Sequence, residues 1–198
     1  MGDANAQCNL GSMYADGQGV DKDEKRAVEF FTLAADQGHV NAQYNLGNMY
    51  KDGRGVDKDE KRAVKMYTLA ADQGYVGAQY NLGCMYDNGQ GVDKDDKRAV
   101  EYFTLASEQG DADAQYNLGC MYNNGRGVDK DDKRAVEFYT LAADQSHAGA
   151  QYNLGIMYAD GDGVDQSFTK TREWWTKAAA QGIKEAIEGL KHLDECGL

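Results

Sequence analysis

"QYNLGNMYKDGRGVDKDEKRAV", residues 43–64, returns as "QYNLGCMYDNGQGVDKDDKRAV" at 79–100, again from 115, and in shortened form from 151. The Ala-Gln pair that leads it falls at 6, 42, 78, 114 and 150, and Ala186 continues the series. Every interval is 36 residues, without insertion or deletion. Units 42–77 and 78–113 share 23 of 36 positions, which makes duplication of one structural unit the natural reading. A fixed period of this length predicts stacked supersecondary units rather than a conventional globule.

Within a unit, Ala42, Leu46, Met49 and Tyr50 follow the i, i+4, i+7, i+8 spacing of one buried helical face, predicting a first helix from about Ala42 to Asp52. Gly53 is placed to end it at positive φ. Gly47 lies inside it, at a cost of about 1 kcal/mol against alanine. The same glycine recurs as Gly11, Gly83, Gly119 and Gly155, so a close helix–helix contact that admits no side chain is expected there. A second helix follows "GVDKD", with Asp57 or Asp59 as its N-cap. Asp57-x-x-Glu60 has capping-box spacing, whereas Ser167 in the fifth unit favours the 59-type position. Its apolar residues Ala63, Val64, Met66, Tyr67, Ala70 and Ala71 span an arc too broad for one partner, so it must pack between its own unit and the next. Lys61, Lys65, Thr68 and Asp72 are expected to stay wet. Gly74 closes the unit, and Ser146 departs from that rule. In the first helix, Tyr86 belongs to a column that is tyrosine in every unit; Tyr102, in a mixed column, should be less buried.

The fold class expected is all-α: a right-handed α-solenoid of about five 36-residue helix-turn-helix repeats plus a C-terminal half-repeat, forming one repeat domain over 1–198. Its units run approximately 6–41, 42–77, 78–113, 114–149 and 150–185, with a closing helix 186–198. Met1 opens directly before a first helix, and an uncapped apolar flank there would permit self-association.

Leu-Gly-x-x-Tyr in the first helix and Ala-x-x-x-Tyr in the second resemble tetratricopeptide repeats, whose period is 34. The period of 36, the Gly-x-Gly-Val turn and the Ala-Ala-x-x-Gly ending are more similar to the Sel-one-like repeat family. Ala42, Leu46, Gly47, Tyr50, Gly53, Gly55, Val56, Asp59, Ala63, Tyr67, Ala70, Ala71 and Gly74 carry the resemblance. Asp57 stands where the family often has proline. The resemblance implies a protein-interaction adaptor. It also brings β-lactam binding or hydrolysis into view, since some cysteine-rich bacterial members have been linked to it. The regular disulfide-forming cysteines of those members are missing here.

Composition narrows the partner. The 198 residues carry 21 basic and 33 acidic side chains, a formal charge of −12, which argues against nucleic acid or an anionic membrane. Each of the four "DKDEKR"-type runs holds three acids and three bases, so the excess acidity belongs to helix ends and inter-unit turns. No apolar run approaches a membrane span. The thiols Cys84 and Cys120 are 36 residues apart. Equivalent helices of neighbouring units lie about 8–10 Å apart, too far for a disulfide, whose Cα atoms come within about 7 Å. Unpaired cysteines lean towards a reducing, cytoplasmic setting.

No catalytic residue, cofactor or metal is assigned. His39, His147 and His192 are too scattered for a triad, and the first two read as surface histidines in equivalent turns. "DGDGVD" at 160–165 has Val164 and Thr171 where a calcium loop needs oxygen ligands, so Asp160, Asp162 and Asp165 read as a helix stop.

The candidate binding surface is the face of the first helices away from Leu46, the concave side in two-helix solenoids. It gathers Asn41, Tyr44, Asn45, Asn48, Lys51 and Asp52 of the second unit, and Tyr80, Asn81, Cys84, Asp87 and Asn88 of the third. The fourth contributes Asp113, Tyr116, Asn117, Cys120, Asn123 and Asn124, the fifth Tyr152, Asn153 and Ile156. Column 48 varies as Ser12, Asn48, Cys84, Cys120, Ile156, and column 51 as Ala15, Lys51, Asp87, Asn123, Ala159. The Gln43 and Asn45 columns never vary over the five units. Such fixed polar groups either bond adjacent units or form an amide ladder that grips an extended peptide. A protein or peptide is the expected partner; a self-associating array and a hydrolase are the alternatives.

Overall fold

A computed structural model describes residues 2–198. Among these are eleven α-helices and no strand. The first helices are α1 (Ala4–Asp16), α3 (Val40–Asp52), α5 (Val76–Asn88), α7 (Ala112–Asn124), α9 (Ala148–Asp160) and α11 (Lys184–Cys196). The second helices are α2 (Glu24–Ala35), α4 (Glu60–Ala71), α6 (Asp96–Glu108), α8 (Asp132–Asp144) and α10 (Phe168–Ala180). The chain divides into two compact units, one up to Tyr102 and the other from Phe103 on. In the first unit α4 packs on α3 and α5, and in the second α8 packs on α7 and α9, the two-sided burial that its broad apolar arc requires.

Second helices start where the 59-type position predicts. Asp23, Asp59, Asp131 and Ser167 each accept a hydrogen bond from the backbone three residues on, so the capping-box alternative from Asp57 is not used. Glu60 pairs instead with Lys58 at 2.8 Å, a part-exposed contact of the kind that adds little stability. Val64 and Met66, expected in the core, are only half-buried, because the helix's sealed centre is Ala63, Tyr67 and Ala70. Thr68 is half-buried too, its hydroxyl donating to the Val64 carbonyl.

First helices begin two residues earlier than periodicity suggests. Asp3, His39, Asp111 and His147 cap them through their side chains, so the two histidines are structural caps rather than idle surface groups. Gly11, Gly47, Gly119 and Gly155, inside their first helices, are explained by the ring facing each. A methyl group on Gly47 would sit 2.6 Å from the Tyr67 ring, and one on Gly119 2.5 Å from that of Tyr139. The Gly-x-Gly turn has two separate reasons. Gly53 takes φ +69° to cap α3, while a Cβ on Gly55 would collide with the Glu24 carbonyl of the preceding repeat. Ser146 adopts φ 67° where other repeats place glycine, and the turn keeps its form. Tyr86 is buried and Tyr102 half-buried, stacked on it at 5.6 Å, in the order expected.

Candidate functional site

Gln43, Gln79, Gln115 and Gln151 of the invariant column are buried. Gln43 donates through Nε2 to the Ala35 carbonyl of the preceding repeat, 3.3 Å, while its Oε1 accepts from Gln73 Nε2, 2.7 Å. Gln73 donates also to the Gly38 carbonyl, 3.1 Å. In the second unit, Gln115, Gln145 and Gln151, Gln181 repeat the relay with the same partners. Each buried amide thereby has both donor and acceptor satisfied, which removes the 1–3 kcal/mol or so that an orphaned one would cost. The Gln37 column is as invariant in the sequence as the Gln43 column, and that pairing was the signal available to find the relay.

The asparagine column is engaged at the next layer. Tyr67 donates its hydroxyl proton to Asn48 Oδ1 at 2.6 Å, and Asn81 of the following repeat reaches the Tyr67 phenol. Burial pushes the Tyr67 phenol well above its ordinary range, reinforced by Tyr44 and Asp52 and opposed by Asn81. In the second unit Tyr139 donates to Cys120 Sγ at 3.4 Å, and Asn153 Nδ2 donates to the same sulfur at 4.0 Å, near enough to the phenol to oppose the rise that burial causes. Burial first, then Cys120, raises that phenol too. Above this layer the rings of the Tyr44 column lie half-buried. Tyr44 tilts against Tyr67 and Tyr75, and Tyr116 stacks on His147 at 4.5 Å.

The first joint departs from this arrangement. Phe31, like Phe103 in the third repeat, has no hydroxyl, and Ser12 stands where column 48 otherwise holds asparagine, cysteine or isoleucine. Between α1 and α3 a hollow of about 140 Å³ results, lined by Ser12, Asp16, Phe31, Asn45, Asn48 and Arg54 among others. Of the residues the sequence places on the first-helix face, those of columns 45 and 48 meet at this hollow. Lys51, Asp87 and Asn123 are half-exposed; Asn41, Asp52 and Asp113 are exposed. Asn88 and Asn124 turn their amides back to the carbonyls of Cys84 and Cys120 on their own helices. Asp113 lies 3.3 Å from His147 Nε2. Tyr80, Asn117, Tyr152, Asn153 and Ile156 are half-buried along the same helical face.

The acidic turn at 160–165 ends α9, with Gly161 as its αL cap. Among the described residues no three His, Cys, Asp or Glu side chains converge on a point that could hold a metal, and no helix is long and apolar enough to cross a membrane. None of the four cysteines is in a disulfide.

The Sel1 repeat pattern matches five consecutive segments, 4–39, 40–75, 76–111, 112–147 and 148–183. The chain belongs to the Sel1 repeat family. A solved protective antigen of uropathogenic Escherichia coli strains, displaying an SLR fold, is 36% identical with a TM-score of 0.96 over 98% of this chain and 42% of its own. The chain thus spans about two fifths of that antigen's length. A Sel1 repeat protein from Oxalobacter formigenes is 33% identical, TM-score 0.88, over 98% of this chain and 78% of that one. Cysteine-rich protein B of Helicobacter pylori, 24% identical with a TM-score of 0.53 over 66% of this chain and 94% of its own, shares the fold alone. Comparison with curated proteins gives no match. Sel1 repeats generally serve as protein-interaction scaffolds.

Proposed function

We propose that this Sel1 array is a non-catalytic adaptor that holds a protein or peptide segment along the concave, first-helix face. The fixed glutamines and asparagines hold repeats to one another, while columns 48, 51 and 52 set specificity. The single observation that carries the reading is the hollow between α1 and α3. There the polar side chains of Ser12 and Asn45 border open space instead of a phenol, with Asn48, already bonded by Tyr67, at the edge, so a partner's side chain can take the place that Tyr67 fills one joint later. Donors and acceptors both line it, which suits an amide or hydroxyl side chain.

The test copies the second joint into the first. Peptides selected on the wild type from a random displayed library are titrated against Ser12→Asn/Phe31→Tyr, which rebuilds the asparagine–tyrosine bond and fills the hollow. Binding should fall about tenfold or more, a change of about 1.4 kcal/mol, with thermal stability kept. Peptides that bind the filled variant as well as the wild type would refute the site. Indifference to changes at Asn48, Asp87, Asn88, Asn123 and Asn124 would refute the face.

A further inference from the structure

The second helices carry large apolar side chains that the fold leaves in solvent. Leu33 and Leu69 in the first unit are 49% and 40% exposed, and Leu105 and Leu141 in the second are 43% and 50% exposed. All four occupy one column of the repeat. Isolated exposed leucines are ordinary. The fifth repeat, however, places Lys177 in that column, exposed, with its ammonium 3.9 Å over the Trp174 ring. A position that accepts an ammonium group is not kept apolar by packing. The leucines therefore need another reason.

Their surroundings supply the chemistry. On α8, Glu137 lies one turn before Leu141 and Asp144 just under one turn after it, both exposed. Half-buried Phe138 extends the apolar surface on the same helix. Glu108 follows Leu105 by three residues, also exposed. In the first unit Lys65 takes the place of Glu137, so the border of that pair is mixed in sign. A second copy of this chain would bring acid against acid, at a formal charge of −12 each.

We propose that Leu105 and Leu141 form a second docking surface, separate from the first-helix face, for a basic amphipathic helix of a partner protein. The partner would set leucine-sized residues on the two leucines and lysine or arginine against Glu108, Glu137 and Asp144. The surface stands whether or not the first-helix face binds anything.

The probe is a labelled synthetic helix with leucines on one face and lysines on both flanks, titrated with the full chain and read by fluorescence anisotropy. Wild type should bind it, and Leu105→Gln/Leu141→Gln should bind about tenfold more weakly at an unchanged melting temperature. Glu137→Gln/Asp144→Asn should flatten the salt dependence, and Leu33→Gln/Leu69→Gln should keep most of the affinity. A leucine–glutamate helix should not bind. Equal affinity for wild type and Leu105→Gln/Leu141→Gln, or no binding by wild type, overturns the proposal. Sedimentation in which wild type dimerises and the leucine variant does not would also overturn it, since the face would then belong to a second copy.

Discussion

Asp3, His39, Tyr75, Asp111, His147 and Ile183 stand at one position of the repeat, ahead of the first helices. The aspartates and histidines all accept from a backbone N–H three residues on; Tyr75 and Ile183 make no such bond. Histidine can cap only through an unprotonated nitrogen. The bond from Ala150 N to His147 Nδ1, 3.1 Å, therefore fixes the ring proton on Nε2, facing Asp113. His147→Ala should cost about 1 kcal/mol, and His147→Asn should recover most of it, as read by denaturant midpoint. Equal losses in both would show that the ring's stacking on Tyr116, not the cap, is what matters. Sequence periodicity started these helices two residues late because the cap position holds aspartate, histidine, tyrosine or isoleucine by turns, so no one residue type marks it, and a cap is visible only once its donor is in place. The glycines were legible for the opposite reason. Gly47 breaks helix propensity in every repeat, and only a steric constraint such as the Tyr67 ring makes that breach worth repeating.

At the level of helices, the 36-residue spacing and the two apolar arcs were enough to specify paired helices and two-sided packing, because both follow from periodicity alone. The joints between repeats were legible only in part. Invariant Gln43 and Asn45 announced a shared role, but a column of amides reads the same whether it bonds a neighbour or waits for a peptide. Distances separate the glutamines cleanly, since Gln43 reaches both the Ala35 carbonyl and Gln73. The exposed leucines drew no assignment from the sequence, since Leu69 falls neither in the second helix's apolar arc nor among the residues expected to stay wet. Their exposure depends on how far α4 and α8 turn between their neighbours, which no single helix encodes. Glu24 shows the electrostatic side of a joint. Lys22, then Arg54 of the next repeat, hold its carboxyl below the ordinary range, and both bonds are part-exposed and correspondingly modest.

Across the molecule, the tyrosines couple stability to alkaline pH. Burial raises the phenols of Tyr67, Tyr75, Tyr102, Tyr116, Tyr139 and Tyr152 above the ordinary tyrosine value of about 10. The unfolded chain then releases these protons first as pH rises, so their contribution is whole below about pH 10 and is lost above it. Unfolding free energy should fall from about that pH upward, and tyrosinate absorbance should show a class of tyrosines that ionises only as the helical signal is lost. A single smooth titration preceding unfolding would contradict the burial of these rings.

The division of labour on the first-helix face, fixed amides for the joints and varied columns for the partner, is tested most directly by comparing denaturant midpoints of Asn81→Ala and Asn153→Ala with that of Asn45→Ala. Asn81 and Asn153 each reach a tyrosine phenol of the repeat before, whereas Asn45 shares a hollow with Phe31, which has no hydroxyl. The first two changes should each cost about 1 kcal/mol more than the third. Equal costs, or none, would mean that the asparagines do not hold the repeats together and would return them to the partner as a peptide-gripping ladder.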